Sequence, residues 1–135
     1  MPRFMLDTNI CIYLMKHHPP EVAARFAECY VGDVVMSAIT LAELQYGVVC
    51  SGECRDQNAA ALAALLGDIP VAAFDAGAAE AYGAIRLATR ERKRDALDKL
   101  IAAHALALAV TLVTNNERDF ADYPGLQIEN WVGSR

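Results

Sequence analysis

The feature that most constrains the fold of this chain is the alternation of short apolar runs with longer segments of helical periodicity. Short runs at this spacing are typical of buried strands joined by helical crossovers. The pattern predicts an α/β fold whose parallel sheet is covered by helices on both faces. The expected strands are 3–6, 34–36, 71–74 and 109–113, with 126–128 as a candidate edge strand.

Helix signals fill the spaces between these runs. The expected helices are 8–16, 20–30, one that starts at Ser37 or Thr40 and passes through Gly47, 57–66, 75–92 and 95–108. Pro19-Pro20 marks the break between the first two helices, and Asp75 is expected to cap its own. Segment 48–55, which contains Gly52, is expected to be a loop.

Size and composition limit the class of protein. A chain of 135 residues, 55% of them hydrophobic, fits one folded domain over residues 1–135 and excludes disorder. No apolar stretch approaches the ~20 residues of a membrane span, and Asp7 comes too early for a signal peptide, so we expect a cytoplasmic protein. The four cysteines lack the partners of a zinc site. The net charge of −5 argues against a protein that coats nucleic acid, but not against an enzyme whose acidic residues bind a cation.

Acidic residues from four separate segments are expected at one edge of the sheet, because the carboxyl ends of parallel strands meet there. Asp7 follows the first strand, and Glu43 is expected in the first turn of the helix after the second strand. Asp98 is expected in the first turn of the helix before the fourth strand, and Asp119 comes after that strand.

Each of these residues also has a simpler interpretation. Asp7 can cap the helix that follows it, and Glu43 can pair with Thr40 in a capping box. Asp98 can interact with the dipole of its helix, and Asp119 can be an exposed turn residue.

The four residues together favour a metal site. Asp98 shares its helix face with Ile101, Ala102 and Ala105, where an unpaired carboxylate is costly and needs a cation or donors. Clustered carboxylates repel one another, and Mg²⁺ or Mn²⁺ is the natural counter-ion of an all-oxygen site. Such a site suits the hydrolysis of a phosphodiester, because a bound divalent cation activates and orients water.

Two further features accompany the acidic residues. His104 lies on an apolar helix face, where a core or interface residue is expected rather than a catalytic base. Segment 86–94 is either a solvated helix end or a phosphate-contacting edge beside the carboxylates. Its cations are Arg86, Arg90, Arg92, Lys93 and Arg94.

Segments spread over nearly the whole chain resemble the PIN-domain ribonucleases, and specifically the VapC-type toxins. They are FMLDTNICIY, SAITLAELQYG, DALDKLIAAHAL and LVTNNERDFADYPGLQIENW. The resemblance implies a single PIN domain over 1–135 with a three-layer α/β/α sandwich and a central, mostly parallel sheet of four to five strands. It also implies endoribonuclease activity that depends on Mg²⁺ or Mn²⁺, a homodimer, and inhibition by a cognate VapB-type antitoxin. Operator DNA would be contacted only through the antitoxin.

The resemblance carries the acidic site onto Asp7, Glu43 and Asp98. A departure lies just before Asp98, where many members have a loop with Gly and Pro and this chain has 92–95. The substrate edge is therefore expected to differ from that of those members.

The fourth acid also departs from the common pattern. Many PIN domains have an aspartate two residues after the threonine that ends the fourth strand, where this chain has Asn116. Asp119, just before a phenylalanine, matches members with a TNN segment, and Glu117 is the rival assignment. Asn116 would then act as a neutral ligand or hydrogen-bond donor.

Two alternatives come from other classes. A PIN-like subunit without useful catalysis, acting in binding or co-repression, would not need Asp7, Glu43 and Asp98 intact. A phosphatase of the haloacid dehalogenase type would need an acid two residues after Asp7, where Asn9 stands.

Overall fold

The computed structural model describes residues 1–133, so the last two residues of the expected domain lie outside the described part. In chain order the elements are β1 (Phe4–Leu6), α1 (Thr8–Lys16), α2 (Pro20–Ala27), β2 (Val34–Ser37), α3 (Ala38–Val49), a 3-10 turn (Gly52–Cys54), α4 (Arg55–Asp68), β3 (Val71–Ala72), α5 (Ala76–Ala88), α6 (Ala96–Leu108), β4 (Thr111–Val113), α7 (Glu117–Phe120) and β5 (Ile128–Glu129).

The sheet has five strands in the order β3-β2-β1-β4-β5, and every neighbouring pair is parallel. The strand β1 is therefore central, with Met5 aligned to Val35 on one side and to Leu112 on the other. All carboxyl ends meet at one edge, as the alternation of apolar runs and helices predicts.

The strands send alternate side chains to opposite faces. Phe4, Leu6 and Met36 belong to the core beneath α1 to α4, whereas Met5 and Val35 belong to the core beneath α5 and α6. Both faces of the sheet are thus covered, and the expected three-layer α/β/α sandwich is confirmed. None of the helices in residues 1–133 combines the length and apolar character that crossing a membrane would take.

The start of α3 corrects the expectation for Glu43. The N-cap is Ser37, whose hydroxyl accepts a hydrogen bond of 3.0 Å from the amide of Ile39. Thr40 is fully buried inside the helix, so the Thr40–Glu43 capping box does not form. The carboxylate of Glu43 lies in the second turn of α3, not in the first.

Several other boundaries also differ from the sequence expectations. The expected loop 48–55 is mostly helical, because α3 runs to Val49 and α4 starts at Arg55. The helix α5 ends at Ala88 rather than 92, where the Thr89 hydroxyl donates to the carbonyl of Ile85. Three further helices differ from expectation at their ends: α2 stops at Ala27 instead of 30, α4 is longer than 57–66, and α6 starts at Ala96 instead of 95. Two strands differ as well: β3 is shorter than 71–74, and β5 is Ile128–Glu129 instead of 126–128.

The connection from α6 to β4 contains a further difference. Ala109 has a φ of 57° and ends the helix in the left-handed conformation, and β4 starts only at Thr111. A β-branched run predicts a longer strand, but the chain must reverse at Ala109 to enter the sheet.

Candidate active site

Asp7 lies at the carboxyl end of the central strand and is buried. Its carboxylate caps α1 by accepting a hydrogen bond of 3.0 Å from the amide of Ile10, and the hydroxyl of Thr114 also donates to it. Burial raises the pKa of Asp7, and the charge of Glu43 adds to the increase, while the donors from Thr114, Ile10 and Asn9 oppose it. Asp7 thus caps a helix and lies at the carboxyl edge of the sheet at the same time.

Glu43 reaches the same edge from α3. Its Oε1 accepts a hydrogen bond of 2.5 Å from the hydroxyl of Thr8, which fixes the carboxylate against the start of α1. Sequence reasoning missed Thr8 as a partner, although it directly follows Asp7 and faces the sheet edge for the same reason.

Asp98 is half-buried in the first turn of α6. Burial raises its pKa to about 6, and the negative charges of Asp95, Asp7, Glu43 and Asp119 contribute in that order. The repulsion shows that acids from four chain-distant segments share one electrostatic neighbourhood. The helix dipole of α6 favours the ionised carboxylate, but its effect is smaller than that of the burial and repulsion that raise the pKa of Asp98.

The segment after β4 distinguishes Asp119 from Glu117. The charge of Asp119 acts on Asp98, and the neighbouring Phe120 is 2% exposed and anchors α7 in the core. The carboxylate of Glu117 instead accepts a hydrogen bond of 2.9 Å from Asn130. Asp119 itself is exposed, and it lies in a short helix rather than in the turn that its simpler interpretation assumed.

Asn116 lies between the strand end and α7. Its backbone amide donates a hydrogen bond of 2.9 Å to the hydroxyl of Thr114, and Thr114 in turn donates to Asp7. We call the sheet edge with Asp7, Glu43, Asp98 and Asp119 the acidic edge. The main chain of Asn116 is thus connected to this edge through Thr114.

Arg92 is a residue of the site region that the sequence grouped only with the other cations. Its Nε lies 3.1 Å from Oδ2 of Asp95, and its Nη2 donates a hydrogen bond of 2.6 Å to the carbonyl of Asp119. Its guanidinium lies 5.0 Å from the ring centroid of Tyr123. The signal that could have indicated it is the unusual segment 92–95 before Asp98.

The backbone of Asp95 is unusual as well. It has a φ of 70°, a conformation that favours glycine and that aspartate tolerates better than most residues. Lys99 is buried and directs its ammonium to the carbonyls of Thr89 and Arg92, so it stabilises this connection rather than entering the acidic edge.

His104 is a core residue, as expected. It is 1% exposed, and its Nδ1 lies 2.7 Å from the hydroxyl oxygen of Ser37. Burial lowers its pKa, and the charge of Asp75 opposes that effect.

The chemistry of the acidic edge fits a hard divalent cation. In residues 1–133 no three His, Cys, Asp or Glu side chains stand close enough together to hold a metal as they are placed. The donors are nevertheless all oxygens, and the pKa values of Asp7 and Asp98 are raised first by burial and further by repulsion among these acids. A cation would relieve this repulsion, and oxygen donors are those that Mg²⁺ and Mn²⁺ prefer.

Comparison with known proteins agrees with this fold. The PIN domain family matches residues 4–126. The tRNA(fMet)-specific endonuclease VapC of Shigella flexneri is 40% identical over 97% of this chain and 99% of its own. Ribonuclease VapC2 of Rickettsia felis is 38% identical over 95% of this chain and 97% of its own. The crystal structure of DNA-bound VapBC from Salmonella typhimurium superimposes with a TM-score of 0.89, at 37% identity and 97% and 99% coverage. The chain therefore belongs to the PIN-domain family and, within it, to the VapC ribonucleases.

Proposed function

We propose that this chain is the toxin ribonuclease of a toxin–antitoxin pair and cleaves RNA at a metal site formed by Asp7, Glu43, Asp98 and Asp119. The observation that carries the proposal is the convergence of negative charge on Asp98 from the other three acids. A bound cation would offset the repulsion within such a cluster and stabilise the folded protein. PIN ribonucleases generally use a divalent metal, and we assign Mg²⁺ or Mn²⁺ here.

The residues of the site have separate tasks in this mechanism. A bound divalent cation lowers the pKa of a coordinated water and stabilises the leaving oxygen of the phosphodiester. The carboxylate of Asp7 is fixed by the Ile10 amide, and that of Glu43 by the Thr8 hydroxyl. Both can therefore bind a cation with little loss of side-chain freedom. Asp98, half-buried, presents its carboxylate to the same region.

Asp119 and Asn116 complete the proposed ligand set. Asp119 supplies the fourth charge from α7, where the buried Phe120 holds the helix in place. Asn116 supplies a neutral amide close to the strand end, as a ligand or as a donor to a coordinated water.

The test is incubation of the purified chain with total RNA, with Mg²⁺ and with excess EDTA, beside an Asp7→Asn variant whose folding is checked by circular dichroism. We expect cleavage only by the wild-type protein with metal. Full activity in EDTA would contradict the metal mechanism. No cleavage by the wild-type protein under any metal would favour the alternative of a binding or co-repressor subunit.

Initiator tRNA is the first defined substrate to test. Two relatives, from Shigella flexneri and Salmonella typhimurium, are named as tRNA(fMet)-specific endonucleases and are 40% and 37% identical to this chain. Cleavage of this tRNA, compared with an elongator tRNA of similar length, measures whether the specificity extends to this protein.

The proposed partner is a small VapB-type antitoxin. Structures of VapBC from Rickettsia felis and Salmonella typhimurium were solved bound to DNA, at TM-scores of 0.85 and 0.89 to this chain. We infer a cytoplasmic homodimer that reaches operator DNA only through the antitoxin. Expression of the chain alone should arrest growth, and harmless overexpression of folded protein would contradict the toxin assignment. A monomer by light scattering at micromolar concentration would contradict the dimer.

A further inference from the structure

A basic cavity lies beside the acidic residues, at the connection between α5 and α6. Its volume is about 510 Å³. The cations that line it are Arg86, Arg90, Arg92, Lys93, Arg94 and Lys99, and no carboxylate is among its lining residues in the described part of the chain. We call this feature the basic cavity. The basic cavity is positively charged, although the whole chain carries a net charge of −5.

The cations of the basic cavity are not all used by the fold. Arg92 is bound to Asp95, and Lys99 donates to backbone carbonyls. Lys93 and Arg94, in contrast, form no ion pair within residues 1–133. Within the described part of the chain, the ion-pair contact of Arg90 is one of 4.0 Å with the exposed Glu91. Unneutralised cations around one cavity repel one another, so an anionic ligand is the natural occupant.

The position of the basic cavity indicates which anion it takes. Arg92 lines the cavity and also donates to the carbonyl of Asp119, while Lys99 directly follows Asp98. A chain of phosphates held in the cavity would therefore continue to the acidic edge. The cavity wall includes Tyr82, whose ring has the guanidinium of Arg86 at 6.0 Å from its centroid. An aromatic ring beside arginine is a combination on which nucleic-acid bases stack.

We propose that the basic cavity binds the phosphate backbone of single-stranded RNA next to the bond that is cleaved. This inference rests on the proposed ribonuclease function and adds where the substrate lies. The acidic edge repels a polyanion, so the substrate needs compensating cations close by, and the cavity supplies them. An acidic protein segment has no comparable reason to reach both the cavity and the carboxylates.

The test compares two double variants with the same change in net charge. Lys93→Gln with Arg94→Gln removes the two unpaired cations of the cavity. Arg3→Gln with Arg55→Gln removes two exposed cations outside the cavity, with Arg3 just before β1 at the amino edge of the sheet, and serves as the control. Thermal melts establish that both variants fold. Binding of a fluorescein-labelled single-stranded RNA is followed by anisotropy in EDTA at several salt concentrations, so that no cleavage occurs.

The cavity variant should bind RNA about 5- to 20-fold more weakly, with the salt slope reduced by about 1.4 for two lost phosphate contacts. The control should stay within about twofold of the wild-type protein. In Mg²⁺, the cavity variant should raise KM by a similar factor while kcat changes little, since the acids that act on the bond are untouched.

The outcomes separate this inference from the proposed function. Equal RNA affinity and salt slope in the two double variants would overturn the cavity assignment, even if the wild-type protein cleaves RNA. A cavity variant that binds RNA normally but loses affinity for an acidic peptide such as poly-glutamate would overturn it as well. A wild-type protein that does not cleave RNA would contradict the proposed function, and the anisotropy measurement would still decide the role of the cavity.

Discussion

Arg92 donates a hydrogen bond of 2.6 Å from Nη2 to the carbonyl oxygen of Asp119 and so joins the α5–α6 connection to α7. The same guanidinium binds Asp95 and lies over the ring of Tyr123. The segments that present Asp98 and Asp119 are thus held together by one side chain. The planar group of arginine can make these contacts simultaneously, whereas an ammonium acts as a point charge.

Replacing Arg92 by lysine should therefore lower RNA cleavage while retaining the charge. We expect kcat to fall about 10- to 100-fold, because small displacements of acidic residues at a reacting centre have effects of that size. The measurement is steady-state cleavage at saturating RNA, with Arg55→Lys as the control on an exposed helix start. A larger change in KM than in kcat would indicate that Arg92 acts only in substrate binding.

The fourth acid can be assigned with three variants. Asp119→Asn should lower both metal affinity and cleavage, because it removes a charge that acts on Asp98. Glu117→Gln should have little effect, because that carboxylate is directed to Asn130. Asn116→Ala should give a smaller loss than Asp119→Asn, because it removes no charge. If only the Glu117 variant lowered both quantities, the assignment of Asp119 would be wrong.

Asp98 should destabilise the metal-free protein. Burial, and after it the like charges around the carboxylate, raise its pKa to about 6, so the ionised form present at pH 7.5 is disfavoured in the fold. Asp98→Asn should raise the free energy of unfolding in EDTA by about 1 kcal/mol, a value reduced for the partial exposure of the group. The same variant should lose most of the increase in Tm that Mg²⁺ gives the wild-type protein.

The control for this variant is Asp56→Asn in the exposed first turn of α4, where no gain in stability is expected. Urea unfolding in EDTA and thermal melts with Mg²⁺ provide the two measurements. An Asp98→Asn protein less stable than the wild type in EDTA would contradict the repulsive cluster.

The sequence predicted the acidic edge because that edge follows from topology. Once β1 and β4 are identified as parallel neighbours, Asp7 and the residues after Thr114 must lie at the same end of the sheet. The core position of His104 was predicted from helical periodicity, because this residue lies on the apolar face of α6. Periodicity is sufficient for features of this kind.

Contacts that depend on tertiary packing were not predictable in the same way. Ser37 and Thr40 are equally good helix caps by sequence, and only the burial of Thr40 decides between them. The approach of Arg92 to Asp119 joins segments 27 residues apart through a backbone carbonyl, which has no sequence signature. The geometry of the α5–α6 connection therefore required the structure.

Ala109 offers a test of backbone strain. Its φ of 57° is in the left-handed region, where a Cβ is unfavourable and glycine is the usual residue at a helix end. Ala109→Gly should stabilise the protein by about 0.5–1 kcal/mol, since the relief of strain exceeds the entropy that glycine loses. Ala63→Gly, at an exposed position inside α4, should cost about 1 kcal/mol. Urea unfolding measures both, and a destabilised Ala109→Gly protein would contradict the prediction.

The buried His104 should make stability depend on pH. Its Nδ1 lies 2.7 Å from Ser37 Oγ, and its ring centroid lies 5.3 Å from that of Phe74. Burial therefore lowers its pKa below the ordinary value of 6.5, although the charge of Asp75 and a backbone hydrogen bond with Ala73 oppose the change.

The direction of the effect follows from proton uptake. Above pH 6.5 neither the folded nor the unfolded chain binds this proton, so the contribution of His104 to stability is fully present. As the pH falls from 6.5 toward the lowered pKa of the folded state, the unfolded chain is protonated first and the folded state loses stability. The loss is at most about 1.4 kcal/mol per pH unit for one proton. We expect the free energy of unfolding, measured in urea at pH 7.5 and pH 5.5, to decrease less for His104→Gln than for the wild type. The control His17→Gln, at an exposed position, should show the same decrease as the wild type. An equal decrease in the wild-type and His104→Gln proteins would show that His104 does not contribute to the acid sensitivity of the fold.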